Sequence, residues 1–182
     1  MNLSPNSYYH IYNRTNGGEL LFRNRENYGY FLRKYRYYVE KYLTTLSYCL
    51  MPTHFHLFVY IPSESPIPKL SKAIGTLLSS YTQVFNKVHK RHGSLFQQHT
   101  KAKLVDDHRY AAALTAYIHN NPVRSRLVER PEEWKFSSYQ DYCALLNGML
   151  VQKDMILLSF GSVAEFRTFS ENVTCVEERY WV

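Results

Sequence analysis

Two runs with strand-like composition, Thr44–Leu50 and His54–Ile61, are separated only by Met51-Pro52-Thr53. So short a link closes an antiparallel hairpin and leaves no room for a crossover helix. The flanking segments narrow the possibilities further. Upstream, Ser7–Arg14 alternates and is rich in Tyr and Ile, which reads as a strand, and Asn16-Gly17-Gly18 turns the chain after it. Asn24–Tyr42 places Tyr28, Phe31, Leu32, Tyr35, Tyr38, Val39 and Tyr42 at helical spacing, with Asn24 positioned as the cap. Downstream, Pro62–Pro68 is a loop and Lys69–Arg91 is a second amphipathic helix, built on Leu70, Ile74, Leu77, Leu78, Tyr81, Val84, Phe85 and Val88 and stopped by Gly93. Ser94–Val105 reads as a fourth strand. A third helix starts near His108, capped by Asp106 or Asp107. It is expected to end near Asn120, because a residue before proline, here Asn121 before Pro122, avoids the helical region.

The order β-α-β-β-α-β-α predicts an α+β fold of the ferredoxin-like, split-βαβ kind. That is a four-stranded antiparallel sheet with two helices on one face and the third helix added. Residues 1–130 are expected to form this domain, and residues 131–182 an extension packed on it.

Charge separates the same two parts. Residues 1–130 hold 18 Lys and Arg against 7 Asp and Glu, a net of +11, while residues 131–182 hold 4 against 8, a net of −4. Aromatic residues make up 16%, with 17 Tyr. Basic side chains interleaved with rings suit a polyanion whose bases stack, which points to single-stranded nucleic acid; composition alone equally allows a soluble protein that happens to be basic. No apolar run approaches the ~18–20 residues that span a bilayer. Residues 1–10 lack the basic and apolar parts of a signal peptide, and Cys49, Cys143 and Cys175 are widely spaced. A cytoplasmic protein with reduced thiols and no membrane partner is expected.

Two groups of residues carry chemistry. His54 and His56 stand two apart on a strand, so their imidazoles share a face, and Phe55, Leu57, Val59 and Ile61 line the other. The apolar face should pack on the two helices, leaving the histidines on the open side of the sheet. Two neutral imidazoles at fixed spacing suit a metal; they also suit a pair of exposed strand histidines with no role. Tyr117 and Asn121 are four apart on the third helix and share one of its faces. Asn121 offers a carboxamide oxygen, and Tyr117 offers a nucleophile that conserves phosphodiester energy in a phosphotyrosine bond. On spacing alone Tyr117, one of 17 tyrosines, reads first as a packing residue, and Tyr110, two turns earlier on the same side, competes with it.

Taken together, these groups resemble a known family. His-Phe-His in Met51-Pro52-Thr53-His54-Phe55-His56-Leu57-Phe58-Val59 is similar to the His–hydrophobe–His motif of the HUH single-strand nucleases. The stretch Y-I-H-N-N-P-V-R-S-R-L-V from Tyr117 resembles the tyrosine motif of the REP-associated tyrosine transposases. So do Y-H-I-Y-N-R-T near the start, S-L-F-Q-Q-H-T-K-A-K-L-V before the third helix and W-K-F-S-S-Y after it. The resemblance covers residues 7–142. It implies a ferredoxin-like fold and a divalent cation, Mg²⁺ or Mn²⁺, held by His54, His56 and Asn121. Tyr117 would be the nucleophile, cutting single-stranded or hairpin DNA to leave a 5′-phosphotyrosine and a free 3′-OH. The family often carries a small residue and a glycine after N-P-V-R; Ser125 and Arg126 stand there in this chain.

Arg14, Arg23, Arg25, Lys101, Lys103, Arg124 and Arg126 flank the motifs and are the candidate phosphate contacts, against a reading of them as solvated surface charge. The expected activity is DNA transposition or processing of REP elements. The alternative from another class is a ferredoxin-like nucleic-acid-binding protein without catalysis. Whether the protein acts as a monomer or a homodimer is left open by the sequence.

Overall fold

In a computed structural model of the chain, residues 1–146 and 148–173 are described; Cys175 and the remaining C-terminal positions of the expected extension lie outside them. The hairpin is β2 (Thr44–Met51) and β3 (His54–Ile61). With β1 (Ser7–Arg14) and β4 (Lys101–Val105) they form one sheet in the order β2-β3-β1-β4, every neighbour antiparallel. Helix α1 (Arg25–Tyr38) begins where the Asn24 side chain accepts the Asn27 N–H at 3.0 Å. It lies with α2 (Ile67–His89) over the sheet face that carries Phe55, Leu57, Val59 and Ile61. Phe31 of α1, fully buried, meets Phe55 with ring centroids 5.3 Å apart and Tyr81 of α2 at 5.4 Å, so one aromatic cluster joins both helices to the sheet. This is the ferredoxin-like architecture expected from the order of elements.

Three local expectations are corrected. Helix α2 starts two residues early, with Pro68 in its first turn, and ends before Lys90, which takes the left-handed conformation (φ 51°) in place of a stop at Gly93. The fourth strand is five residues long, because Leu95 and Phe96 are consecutive and both buried. Side chains of a flat strand alternate, so that pair forces an irregular path. The path is held by Gln97 N–H to Arg14 O at 2.9 Å and Asn13 Nδ2 to Thr100 Oγ1 at 2.9 Å. The third helix, α3 (His108–Arg124), runs through Pro122 instead of ending at Asn121. Proline forgoes one backbone bond. The turn continues around it through Ser125 N–H to Asn121 O and Leu127 N–H to Pro122 O, both at 2.9 Å.

The largest correction concerns the second face of the sheet, which was expected to be open. It is covered by α3, which packs most closely on β2. Residues 114–119 of α3 are all buried. A helix buried all round lies between two layers, and the outer layer here is the C-terminal part. After a single 3₁₀ turn (Pro131–Glu133), that part contributes the short helices α4 (Tyr139–Tyr142) and α5 (Asp154–Leu157) and the longer α6 (Val163–Asn172), which packs on α3. It also seals the edge of β2. Ser137 bridges to Cys49, Trp134 Nε1 donates to Leu50 O at 3.0 Å, Tyr142 Oη donates to Leu46 O at 2.8 Å, and Phe136 stacks on Tyr28 of α1 at 3.7 Å. Pairing that edge removes unsatisfied backbone groups from the sheet border.

Candidate active site

The β3 pleat puts His54 and His56 on the face under α3. Register fixes their neighbours: His56 lies between Tyr12 of β1 and Cys49 of β2, and His54 between Arg14 and Met51. His56 is fully buried and His54 partly so. Their rings stand perpendicular, 5.0 Å apart. His54 Nδ1 is 3.0 Å from Thr53 Oγ1, and His56 Nδ1 is 2.9 Å from Nε2 of His10, itself fully buried on β1. With both Nδ1 atoms engaged, the Nε2 atoms are left for another partner. Nε2 of His56 is buried and meets no hydrogen-bond partner among the described residues.

All three imidazoles are held neutral. Burial pushes His54 down to about 4, with the Arg14 guanidinium adding to it. Burial pushes His10 down to about 3, helped by the Lys103 ammonium. His56 drops well below the ordinary histidine range through burial and its two histidine neighbours. Neutral imidazole is the form that ligates a metal.

Helix α3 lays Tyr117 over this cluster. The Tyr117 ring meets the His56 ring edge-on at 5.9 Å, and the Arg124 guanidinium sits 5.5 Å from the Tyr117 centroid. Tyr117 and Asn121 are both nearly buried, and Asn121 Nδ2 donates to the Tyr117 carbonyl at 2.9 Å, one turn back along the helix. His54, His56 and Tyr117 are therefore brought together from β3 and α3, with Asn121 on the following turn. Among the described residues no group of three or more His, Cys, Asp and Glu side chains gathers to hold a metal. A cation at the histidine pair would need the Asn121 carboxamide or substrate oxygens to complete its shell. The orphaned, buried Nε2 of His56 and the neutral imidazoles fit such an ion.

The basic candidates separate by face. Arg14 is exposed at the end of β1 beside His54, and Lys101 and Lys103 lie across β4 from Tyr12 and His10, with Lys103 Nζ 5.5 Å from the Tyr12 ring. Arg124 joins them at the end of α3. Arg126 is exposed just beyond that helix, with φ 56°. Arg23 packs elsewhere, 5.2 Å from the Phe85 ring on α2, and Arg25 opens α1 on that same layer. Sequence reasoning missed two residues of the cluster, His10 and Tyr12. The signal was present, since both fall on the face of β1 that a β1–β3 pairing turns toward His56, but only register says which residues meet. His119 belongs to a different place. It is fully buried, with Nε2 2.8 Å from Ser138 Oγ, against the rings of Tyr139 and Tyr142.

Comparison with known proteins adds three findings. Residues 4–121 match the family described as "Transposase IS200 like". A protein of Haemophilus influenzae that carries the name REP-associated tyrosine transposase is 28% identical over 102 residues, 52% of this chain; the chain spans 58% of that relative's length. A solved structure described as the REP-associated tyrosine transposase bound to a REP hairpin superposes with a TM-score of 0.61 over 84% of this chain and 94% of that one, at 11% identity. At that identity the likeness is one of fold.

Proposed function

This chain belongs to the IS200-like transposase family, and we propose that it nicks and rejoins single-stranded or hairpin DNA with Tyr117 as the nucleophile. The observation that carries the reading is the placement of Tyr117 edge-on to the His56 ring at 5.9 Å, where the buried His56 Nε2 has no hydrogen-bond partner among the described residues. His54, His56 and Asn121 are the residues that would hold a divalent cation, Mg²⁺ or Mn²⁺. Bound there, such a cation would polarise the phosphoryl oxygen and offset the charge that develops on it.

The chain's own residues supply the rest. Tyr117 Oη attacks the scissile phosphorus; the bond to the 3′ oxygen breaks, giving a 5′-phosphotyrosine and a 3′-OH. Attack by a 3′-OH on the same phosphorus restores the phosphodiester and frees the tyrosine, so rejoining needs no nucleotide cofactor. The Arg124 guanidinium, 5.5 Å from the Tyr117 ring centroid, adds positive potential beside the nucleophile. Burial under α3 fixes the tyrosine ring, which converts attack into an oriented, unimolecular step. Arg14, Lys101, Lys103 and Arg124, ranged around the cluster, would hold phosphates on either side of the cut. Hairpin DNA is the favoured substrate form, since the structurally similar protein is described as bound to a REP hairpin.

The test is a nicking assay on end-labelled single-stranded hairpins with Mn²⁺. The expected product is a protein–DNA adduct that survives denaturing electrophoresis. A protein that binds the hairpin and never forms the adduct would be the non-catalytic binding protein.

A further inference from the structure

We propose that His10 is a positioning residue for the metal site: its Nε2 accepts the Nδ1–H of His56 and so selects the His56 tautomer whose Nε2 carries a lone pair. The inference rests on the reading of His54 and His56 as metal ligands.

The geometry is that of an in-plane hydrogen bond. The two nitrogens are 2.9 Å apart, the ring planes differ by 16°, and the centroids are 5.2 Å apart. A short N···N distance with so wide a centroid separation sets the rings end to end, not face to face. Both rings are fully buried, so water does not compete for the contact. The β1–β3 register places Tyr12, not His10, directly opposite His56, and the two histidines meet along the sheet diagonal. His10–His56 is therefore a built side-chain contact, not a by-product of strand pairing.

Two proton arrangements satisfy that bond. In one, His56 Nδ1–H donates to His10 Nε2, and His56 Nε2 is bare. In the other, His10 Nε2–H donates to His56 Nδ1, and His56 Nε2 carries the proton. Each leaves one buried ring N–H and one bare ring nitrogen without a described partner, at His10 Nδ1 and His56 Nε2. Neither is favoured by counting hydrogen bonds. A cation breaks the tie, because only a bare Nε2 can ligate it, and His10 then serves as the acceptor that stabilises the ligating tautomer. Acceptors behind metal-bound histidines are usually carboxylates, carbonyls or water. A neutral imidazole in that position adds no negative charge to the site.

The experiment uses the full chain in three forms: wild type, His10→Phe and His10→Gln. Gln presents a carbonyl oxygen near the position of Nε2, whereas Phe keeps the ring volume and removes the acceptor. Mn²⁺ affinity is read by electron paramagnetic resonance titration, with no DNA present. His10→Phe should bind Mn²⁺ about 10–100-fold more weakly, and His10→Gln should recover most of the loss. In wild type loaded with diamagnetic Zn²⁺, ¹⁵N-histidine spectra should show a protonated His56 Nδ1 coupled across the hydrogen bond to His10 Nε2. That signature decides the matter even if the Phe variant does not fold. Wild-type affinity in a folded His10→Phe, or no such coupling in the Zn²⁺-loaded wild type, overturns the role of His10 alone. Failure of the wild type to bind either ion overturns the metal reading itself, and this inference with it.

Discussion

Tyr117 is where the proposed chemistry is most exposed to test. Replacing it with Phe removes one oxygen and leaves a ring that still packs on His56. The covalent adduct should vanish, while hairpin affinity stays within about threefold, as read by gel shift beside the adduct assay. An adduct that persists would move the nucleophile, with Tyr110 on the same helix the first candidate. The histidine pair has its own expected outcome. His54→Ala plus His56→Ala should abolish Mn²⁺ binding and lower the nicking rate by at least about 100-fold, in line with the size of electrostatic contributions to catalysis. Nicking at the wild-type rate in that double variant would remove the cation from the mechanism.

Helix α3 carries the tyrosine, and the junction that fixes α3 is open to measurement. Ser138 Oγ accepts the Tyr48 N–H of β2 at 2.9 Å and meets His119 Nε2 of α3 at 2.8 Å. One hydroxyl thus ties helix, sheet and C-terminal part together. Ser138→Ala leaves a buried N–H and a buried ring nitrogen without that partner and should cost about 1–3 kcal/mol, measured by urea unfolding. Burial pushes His119 down to about 3, so the fold accepts only its neutral form. In the unfolded chain the same histidine takes up a proton near the ordinary 6.5. Its burial therefore costs nothing extra above that pH, and stability falls as the pH drops from there toward 3, by about 1.4 kcal/mol per unit for this one group. Unfolding curves between pH 7 and 4 should be steeper than that one-group slope, because His10, His54 and His56 are held neutral in the same way, and His119→Gln should flatten them by about one proton's worth. An unchanged slope in the variant would place the acid sensitivity in other groups.

The distribution of charge over the protein sets how it would meet DNA in the proposed function. The cations of residues 1–130 divide between two layers: Arg14, Lys101, Lys103 and Arg124 lie about the tyrosine face, while Arg23 and Arg25 belong with the cations of α1 and α2 to the opposite layer. Four phosphate contacts to a single strand imply a loss of affinity of about 50-fold between 50 and 200 mM salt. Lys103→Ala should lower the slope of log affinity against log salt by about 0.7, and Arg23→Ala should leave it unchanged. Equal effects of the two substitutions would mean that DNA does not approach by the tyrosine face. Among the described residues no helix is long and apolar enough to cross a membrane.

The order of elements, the hairpin at Met51-Pro52-Thr53 and the shared face of His54 and His56 were legible in the residues alone. Each follows from short-range periodicity, and a strand's alternation or a helix's turn needs no knowledge of the distant chain. The path of residues 94–100, the continuation of α3 through Pro122 and the covering of the second sheet face were not. They depend on what lies on the far side: Leu95 and Phe96 are both drawn inward, and α3 is pressed between the sheet and the C-terminal part. His10 shows the division most plainly. Its alternation on β1 was visible, but its hydrogen bond to His56, 46 residues away, exists only because the β1–β3 pairing settles in one register. A slip of one residue would have turned His10 to the face covered by α1 and α2, and burial of apolar side chains on that face is what forbids the slip.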